Sequence, residues 1–317
     1  MISNAKLNKY GDYLFAVNVD DTYIQIGLFS KNGELIENLK KYTIKARQGE
    51  EILPFIAKSI KSQMFLRNIR QCDIIGIGIA VPGPVNKLGV IFNAPNINWK
   101  TYNIADRLSC LLNNLPVIAE NDSNCSLLGE KWIGNAQRMD NCVNIKITEE
   151  GVGAGIFLDN HLIKGRNGAC GEIGHIQMND KEEEKCNCGK KGCLEQYISL
   201  KGLKKIAKEF NFNENTNFKE IIEEIKKGNE NAIKIMEKYS DIFGKALSII
   251  GNHYNPSHFI LNLSINNEDG EILCQYIKKY FEKYAFNSCN DCNIILGKLS
   301  DNSGMYGAAN LILSKLD

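Results

Sequence analysis

One histidine and three cysteines constrain this chain more than any other group of residues. His175 is followed after ten residues by Cys186-Asn187-Cys188-Gly189-Lys190-Lys191-Gly192-Cys193. An imidazole and three thiolates on one short loop match a tetrahedral Cys₃His site, and soft sulfur ligands favour zinc over magnesium or calcium. Gly189 and Gly192 permit the tight turns that bring Cys188 and Cys193 to one ion. The intervening Lys, Glu, Asn and Gly residues would not bury thiols for their own sake. Four ligands close the coordination sphere, so the zinc is expected to be structural. Cys289-x-x-Cys292 has no nearby partners in sequence and reads as ordinary surface or core thiols.

The chain has 11 cysteines among 317 residues, an odd number in a long chain. That argues for reduced thiols over a disulfide framework. Met1–Asp12 is polar and lacks the apolar core of a signal peptide, and no stretch is long enough to span a bilayer. A cytoplasmic location without a membrane partner is the expectation. Hydrophobic residues make up 44% and charged residues 24%, with a formal net charge of +1. This is a soluble globular profile without the basic excess of a nucleic-acid surface. Lys181–Lys185 and Lys201–Lys208 read as solvated faces.

Periodicity gives an α/β layout. Tyr13–Val19, Tyr23–Phe29 and Leu35–Ile44 read as a three-strand meander, turning at Asp20-Asp21 and at Lys31-Asn32-Gly33. Glu50–Phe65 has helical spacing, and Ile74–Val81 is a buried strand that stops at Pro82-Gly83-Pro84. A helix near Ile104–Leu112 precedes a strand at Pro116–Ala119. The second half repeats parts of this order. Cys142–Thr148 and Gly153–Leu158 form a hairpin, and a long loop runs from Gly165 to Gly192. Helices follow over Leu200–Phe210, Phe218–Lys227, Ala232–His253 and Glu271–Tyr284, with strands at His258–Leu263 and Asn293–Leu296. Two domains are expected, 1–121 and 122–302, with a last helix in 303–317 packing back on the first.

Several motifs stand in order along the chain: Val81-Pro82-Gly83-Pro84-Val85, Ala94-Pro95-Asn96, Glu120-Asn121-Asp122, Gly171-Glu172-Ile173-Gly174-His175, and the cysteine loop ending at Leu194-Glu195. With these the sequence resembles the ROK family of repressors, open reading frames and sugar kinases over nearly its whole length. The resemblance implies an actin-like ATPase fold of the sugar kinase type, with two domains and a sugar in the cleft between them. It implies sugar contacts from Asn96, Asn121, Asp122, Glu172, His175 and Glu195, with backbone offered near Gly83. A sugar's hydroxyls each need a donor or acceptor once water is excluded, and carboxylates and amides supply them. His175 can bind zinc through one ring nitrogen and offer the other to a hydroxyl, the metal fixing its tautomer. In the family's kinases the residue matching Asp122 is the general base. From the residues alone Asp122 reads first as the N-cap of a Ser123–Trp132 helix, and both roles are compatible.

The nucleotide half of the family pattern is altered. Where the kinases have Asp-x-Gly-Gly-Thr, this chain has Asn18-Val19-Asp20-Asp21-Thr22; where they have Gly-Thr-Gly, it has Glu149-Glu150-Gly151. The added carboxylates would repel a triphosphate. A Gly-Gly stretch near the adenosine is replaced by Asn262-Leu263-Ser264. Thr22, Gly151 and Gly153 remain as nucleotide contacts. Leu128-Gly129-Glu130-Lys131-Trp132, Glu150–Gly155 and Asn96-x-Asn98-Trp99 resemble xylose-repressor-type members, which carry an N-terminal helix-turn-helix. Here the first strand begins near Tyr13, leaving no room for one, so direct DNA binding is not expected. Three readings follow: a sugar-binding sensor or regulatory module; a sugar kinase acting on a hexose or N-acetylhexosamine with ATP and Mg²⁺, Asp122 as base; and a repressor effector domain without its DNA-binding part. Relatives of this kind imply a homodimer or homotetramer.

Overall fold

The computed structural model describes residues 6–20, 22–42, 51–92, 94 and 99–316. Contacts divide the chain into two compact units, one of Met1–Gly134 with Lys164–Cys170 and Asn302–Asp317, the other of Asn135–Ile163 with Gly171–Asp301.

The first unit is built on β1 (Tyr13–Val19), β2 (Tyr23–Ser30), β3 (Leu35–Tyr42), β4 (Ile74–Val81) and β7 (Val117–Asn121), in the order β3-β2-β1-β4-β7. The short strands β5 (Val90–Ile91) and β6 (Tyr102–Asn103) pair separately. β1, β2 and β3 are antiparallel neighbours, while β4 and β7 run parallel to β1. Side chains alternate across a strand, and here both sets are apolar. Phe15, Val17, Val19, Ile77 and Ile79 join one core with α1 (Ile52–Leu66) and α2 (Ile104–Leu111). Leu14, Ala16, Ile75 and Ala80 join another, with Cys125 of α3 (Asp122–Ile133) and Met305, Ala308 and Ile312 of α9 (Ser303–Leu313). That is why β4 reads as a nearly unbroken apolar run. The expected division at 121/122 falls just before α3, whose packing on α9 puts it in the first unit. Residues 43–50, which include the last part of the expected third strand, lie outside the described residues.

The second unit holds β8 (Cys142–Ile147), β9 (Val152–Leu158), β10 (His161–Leu162), β11 (His258–Asn262) and β12 (Asn293–Leu296), in the order β10-β9-β8-β11-β12. Its pairing repeats the first sheet: three antiparallel strands, then two parallel ones. Helices α4 (Glu195–Ile198), α5 (Leu200–Glu209), α6 (Phe218–Lys226), α7 (Glu230–Tyr254) and α8 (Asn267–Tyr284) complete it. Asparagine N-caps open α6, α7 and α8: the side chains of Asn217, Asn229 and Asn266 accept first-turn N–H bonds. Such caps satisfy donors that a helix start leaves unpaired. The fully buried Tyr239 of α7 donates its hydroxyl to the Ile198 carbonyl at 2.7 Å, fixing α4 on the unit's core. Tyr239→Phe should leave that carbonyl without its partner and cost about 1–2 kcal/mol, measurable by denaturant melting.

Candidate functional site

In the second unit, Ile173–His175 forms a 3-10 turn lying against β9, where the Ala154 N–H donates to the Gly171 carbonyl at 2.9 Å. A Cβ on Gly171, whose φ is +95°, would stand 2.0 Å from the Ala154 carbonyl oxygen, and one on Gly174 would stand 2.2 Å from that of Val152. Two glycines thus let the turn lie flat on the strand. Residues three apart eclipse in a 3-10 turn. Glu172 and His175 therefore project together, with Glu172 Oε2 3.8 Å from His175 Nε2.

The cysteine loop closes on itself through the Cys186 N–H to the Lys190 carbonyl and the Gly189 N–H to the Cys186 carbonyl, both at 2.8 Å. Gly189 and Gly192 have φ of +85° and +71°, the left-handed turns their identity allows. The Leu194 N–H donates to the Ile176 carbonyl at 2.9 Å, which returns the loop beside His175. As a result the ligand atoms of His175, Cys186, Cys188 and Cys193 all lie within 4.8 Å of one another. The sulfurs of Cys188 and Cys193 are 3.7 Å apart, and Cys186 Sγ is 3.8 Å from His175 Nδ1. A tetrahedral ion with metal–sulfur bonds of about 2.3 Å has sulfur–sulfur edges of about 3.8 Å. The donor set and its spacing fit one such ion. Burial, then the adjoining Glu195, push the Cys186 thiol far above its ordinary range, and burial raises that of Cys193. A bound cation reverses this preference by stabilising thiolates.

Nδ1 of His175 faces the sulfur ligands and Nε2 faces Glu172. Glu195 opens α4 with a buried side chain; its Oε1 accepts from Cys186 Sγ at 2.9 Å and lies 3.9 Å from His175 Nδ1. Ahead of the cysteines, Glu182 accepts from the Tyr197 hydroxyl at 2.8 Å and from Lys205 at 3.3 Å. The Tyr197 hydroxyl, the Glu184 backbone N–H and Lys205 hold its carboxyl at about 2, below the ordinary 4.5. This depressed value means the clasp is complete above the ordinary carboxylate range and is lost as pH falls towards 2. Cys289 and Cys292 are both buried, and among the described residues they join no metal-ligating cluster.

In the first unit the corner where β7 meets α3 carries Asn121 and Asp122. The N-cap of α3 is Asn121, not Asp122: its Oδ1 accepts from the Ser123 and Asn124 N–H groups at 2.9 and 3.1 Å. Asn121 keeps the extended backbone a cap needs, whereas Asp122 is already the first helical residue. Its carboxylate thus sits in the first turn, at the positive end of the helix dipole. Asn121 Nδ2 donates to the Gly83 carbonyl at 3.0 Å, which leaves one amide N–H for a ligand. Asn96 lies outside the described residues.

The residues expected to contact a nucleotide are found in both units. In the first, Asp20 is buried, Thr22 is half-buried and Asp21 lies outside the described residues. In the second, the β8–β9 turn is closed by Thr148, whose Oγ1 accepts from the Gly151 N–H at 3.0 Å. A donor that could face phosphate is already engaged. Gly153 is a strand residue opposite Lys146. The view of Glu149 as an unbalanced charge needs correction, because Lys204 of α5 pairs with it at 2.7 Å. Lys204 is 55 residues away in sequence, and nothing in the local pattern points to it. Asn262 is buried and donates to Asn144, far from any glycine-like openness.

Comparison with known proteins identifies the family and the fold. The ROK family sequence model matches residues 14–315, and the chain belongs to the ROK family. A glucokinase of Halalkalibacterium halodurans is 29% identical, with 93% of each chain covered. The xylose repressor of Bacillus subtilis is also 29% identical, covering 96% of this chain and 78% of the repressor. Among solved structures, a ROK family glucokinase from Streptomyces griseus in complex with glucose and AMPPNP superimposes with a TM-score of 0.80 at 25% identity, covering 94% of this chain and 98% of that one. A ROK family transcriptional regulator, a homolog of the E. coli MLC protein, gives 0.82 at 26%, covering 96% and 78%. The fold is accordingly the actin-like sugar kinase fold, and the repeated sheet order is its two-domain signature. Among the described residues no helix is long and apolar enough to cross a membrane.

Proposed function

We propose that this ROK protein binds a sugar at a zinc-supported pocket and acts chiefly as a sugar sensor or regulatory module. The observation that carries the reading is His175, with Nδ1 turned to the cysteine sulfurs and Nε2 turned to Glu172. His175, Cys186, Cys188 and Cys193 hold the zinc, which fixes the imidazole's orientation and tautomer. Glu172, Nε2 of His175 and Glu195 then meet sugar hydroxyls, with Gly83, Asn96, Asn121 and Asp122 as the contacts that the family resemblance adds. The relatives supply the ligand class: hexoses for the glucokinases and xylose for the repressors.

Two features favour sensing over phosphoryl transfer. The Gly151 N–H is engaged by Thr148, and Asp20 puts a carboxylate where the family's kinases have glycine. Phosphoryl transfer depends on positioning and charge stabilisation of the phosphates. One observation keeps the kinase reading in play, the Lys204 charge that offsets Glu149. In that case ATP and Mg²⁺ are co-substrates and Asp122 takes the proton from the attacking hydroxyl. The two are separated by following ADP release from zinc-replete protein with ATP-Mg²⁺ and glucose, xylose or N-acetylmannosamine. Turnover well below about 1 per second is expected, and an ordinary enzyme rate establishes the kinase instead. Asp122→Asn should remove any residual turnover by roughly a hundredfold or more while sugar affinity changes little.

A further inference from the structure

The carboxylate of Glu120 is one of the most buried charges in the first unit, with 2% of its side chain exposed. Its three hydrogen bonds all point to one task. Oε1 accepts from the Asn121 N–H at 2.9 Å and from Asn124 Nδ2 at 3.0 Å, and Oε2 accepts from Lys164 Nζ. Glu120 therefore clamps both the last residue of β7 and the first turn of α3. Those are the elements that present Asn121 and Asp122.

Lys164 reaches this carboxylate from a short strap, residues 164–170, that packs within the first unit. The strap is closed by the Cys170 N–H to the Lys164 carbonyl at 3.1 Å. It is seated by Gly168, where a Cβ would come within 2.0 Å of the Val85 carbonyl oxygen. Val85 lies two residues beyond Gly83, whose carbonyl Asn121 holds. The strap thus rests on Val85 and Glu120, which lie two residues and one residue along the chain from the partners of the Gly83–Asn121 contact.

We propose that Lys164 is a positioning residue for the Asn121–Asp122 corner: by neutralising Glu120 it keeps that carboxylate inside the unit, where it holds Asn121 and Asn124 in place for the sugar. Without the ammonium, a buried carboxylate is left uncompensated, which is far less favourable than the pair. The carboxylate then turns towards water and releases the Asn121 N–H and the Asn124 amide. The cap of α3 and the Gly83 contact lose their support together. A displacement of roughly 1 Å at such a corner is enough to cost one to two powers of ten in function. This role rests on the sugar-binding reading above.

The test is calorimetric titration of zinc-replete, full-chain wild type and variants with glucose, xylose and N-acetylmannosamine, alongside zinc content and melting temperature. Lys164→Met is expected to bind the preferred sugar about tenfold more weakly while retaining its zinc. Lys164→Arg, which keeps a cation within reach of the carboxylate, should return to within about threefold of wild type. Should Lys164→Met fail to fold, the Glu120→Leu/Lys164→Met double variant leaves no unpaired core charge and takes its place, with the same weakening expected because the acceptor that holds the Asn121 N–H and the Asn124 amide is gone. Wild-type affinity within about twofold in the methionine or double variant, or failure of arginine to rescue, overturns the positioning role alone. Absence of sugar binding by wild type overturns the sugar reading, and this role with it.

Discussion

Cys188→Ser protein is expected to lose its zinc and, with it, about a hundredfold or more in sugar affinity. Three sulfurs and one imidazole nitrogen converge to within 4.8 Å, and no other side-chain cluster among the described residues offers a comparable donor set. Structural zinc in small metal-dependent folds contributes about 10–16 kcal/mol of apparent binding energy at neutral pH, so with zinc bound as proposed the loop's order would depend on it. His175 connects that energy to the pocket, because the ring that faces the sulfurs also faces Glu172. Removing one thiolate frees the ring to rotate and leaves a buried, high-pKa thiol at Cys186. Elemental analysis should give one zinc per wild-type chain and none in the variant. Because the first unit has its own two cores, the variant should still melt cooperatively, with the loss concentrated around residues 171–198.

Gly171→Ala is expected to be nearly as severe, although it touches no ligand atom. A methyl group there meets the Ala154 carbonyl oxygen at 2.0 Å in a backbone conformation, φ +95°, that L-residues rarely adopt. The turn must lift from β9, and Glu172 and His175 move with it. A cost of about 2–4 kcal/mol combines the overpacking and the backbone strain. Denaturant melting should read this as a lower midpoint, and sugar affinity should fall by more than tenfold even where the protein remains folded. A variant as stable as wild type and equally able to bind sugar would show that the close approach to β9 is not what aligns the two side chains.

Much of this was legible in the sequence because the signals were local. The largely apolar β1, β2 and β4, interrupted by Asn18 and Gln25, report strands buried on both faces, and the cores on either side explain why they do not alternate. The convergence of His175 with the three cysteines was legible because their spacing and the glycine placement are themselves geometric constraints. Element starts were harder. The first turn of α8 is Asn267-Glu268-Asp269-Gly270, polar enough to resemble a loop, and it is helical because Asn266 caps it and Asp269 is buried. The same effect moved the α3 cap by one residue, since Asn121 and Asp122 are both good caps and only the backbone distinguishes them. Charge pairing was least legible. Glu149 reads as a repulsive substitution until Lys204 is placed beside it, and Glu120 reads as a motif letter until Lys164 is found against it. Neither partner is near in sequence, so no local pattern could reveal them. Glu149 is therefore a paired charge and not an open one, while the Gly151 N–H is engaged by Thr148.

The central claim is that zinc holds a working sugar pocket. Titration of zinc-replete wild-type protein with glucose, xylose and N-acetylmannosamine, repeated after chelation and again after zinc is restored, tests it most directly. The expected result is saturable binding of at least one sugar, lost on chelation and recovered with zinc. Binding of equal strength in the zinc-free protein, or none of any sugar in the zinc-replete one, would contradict it.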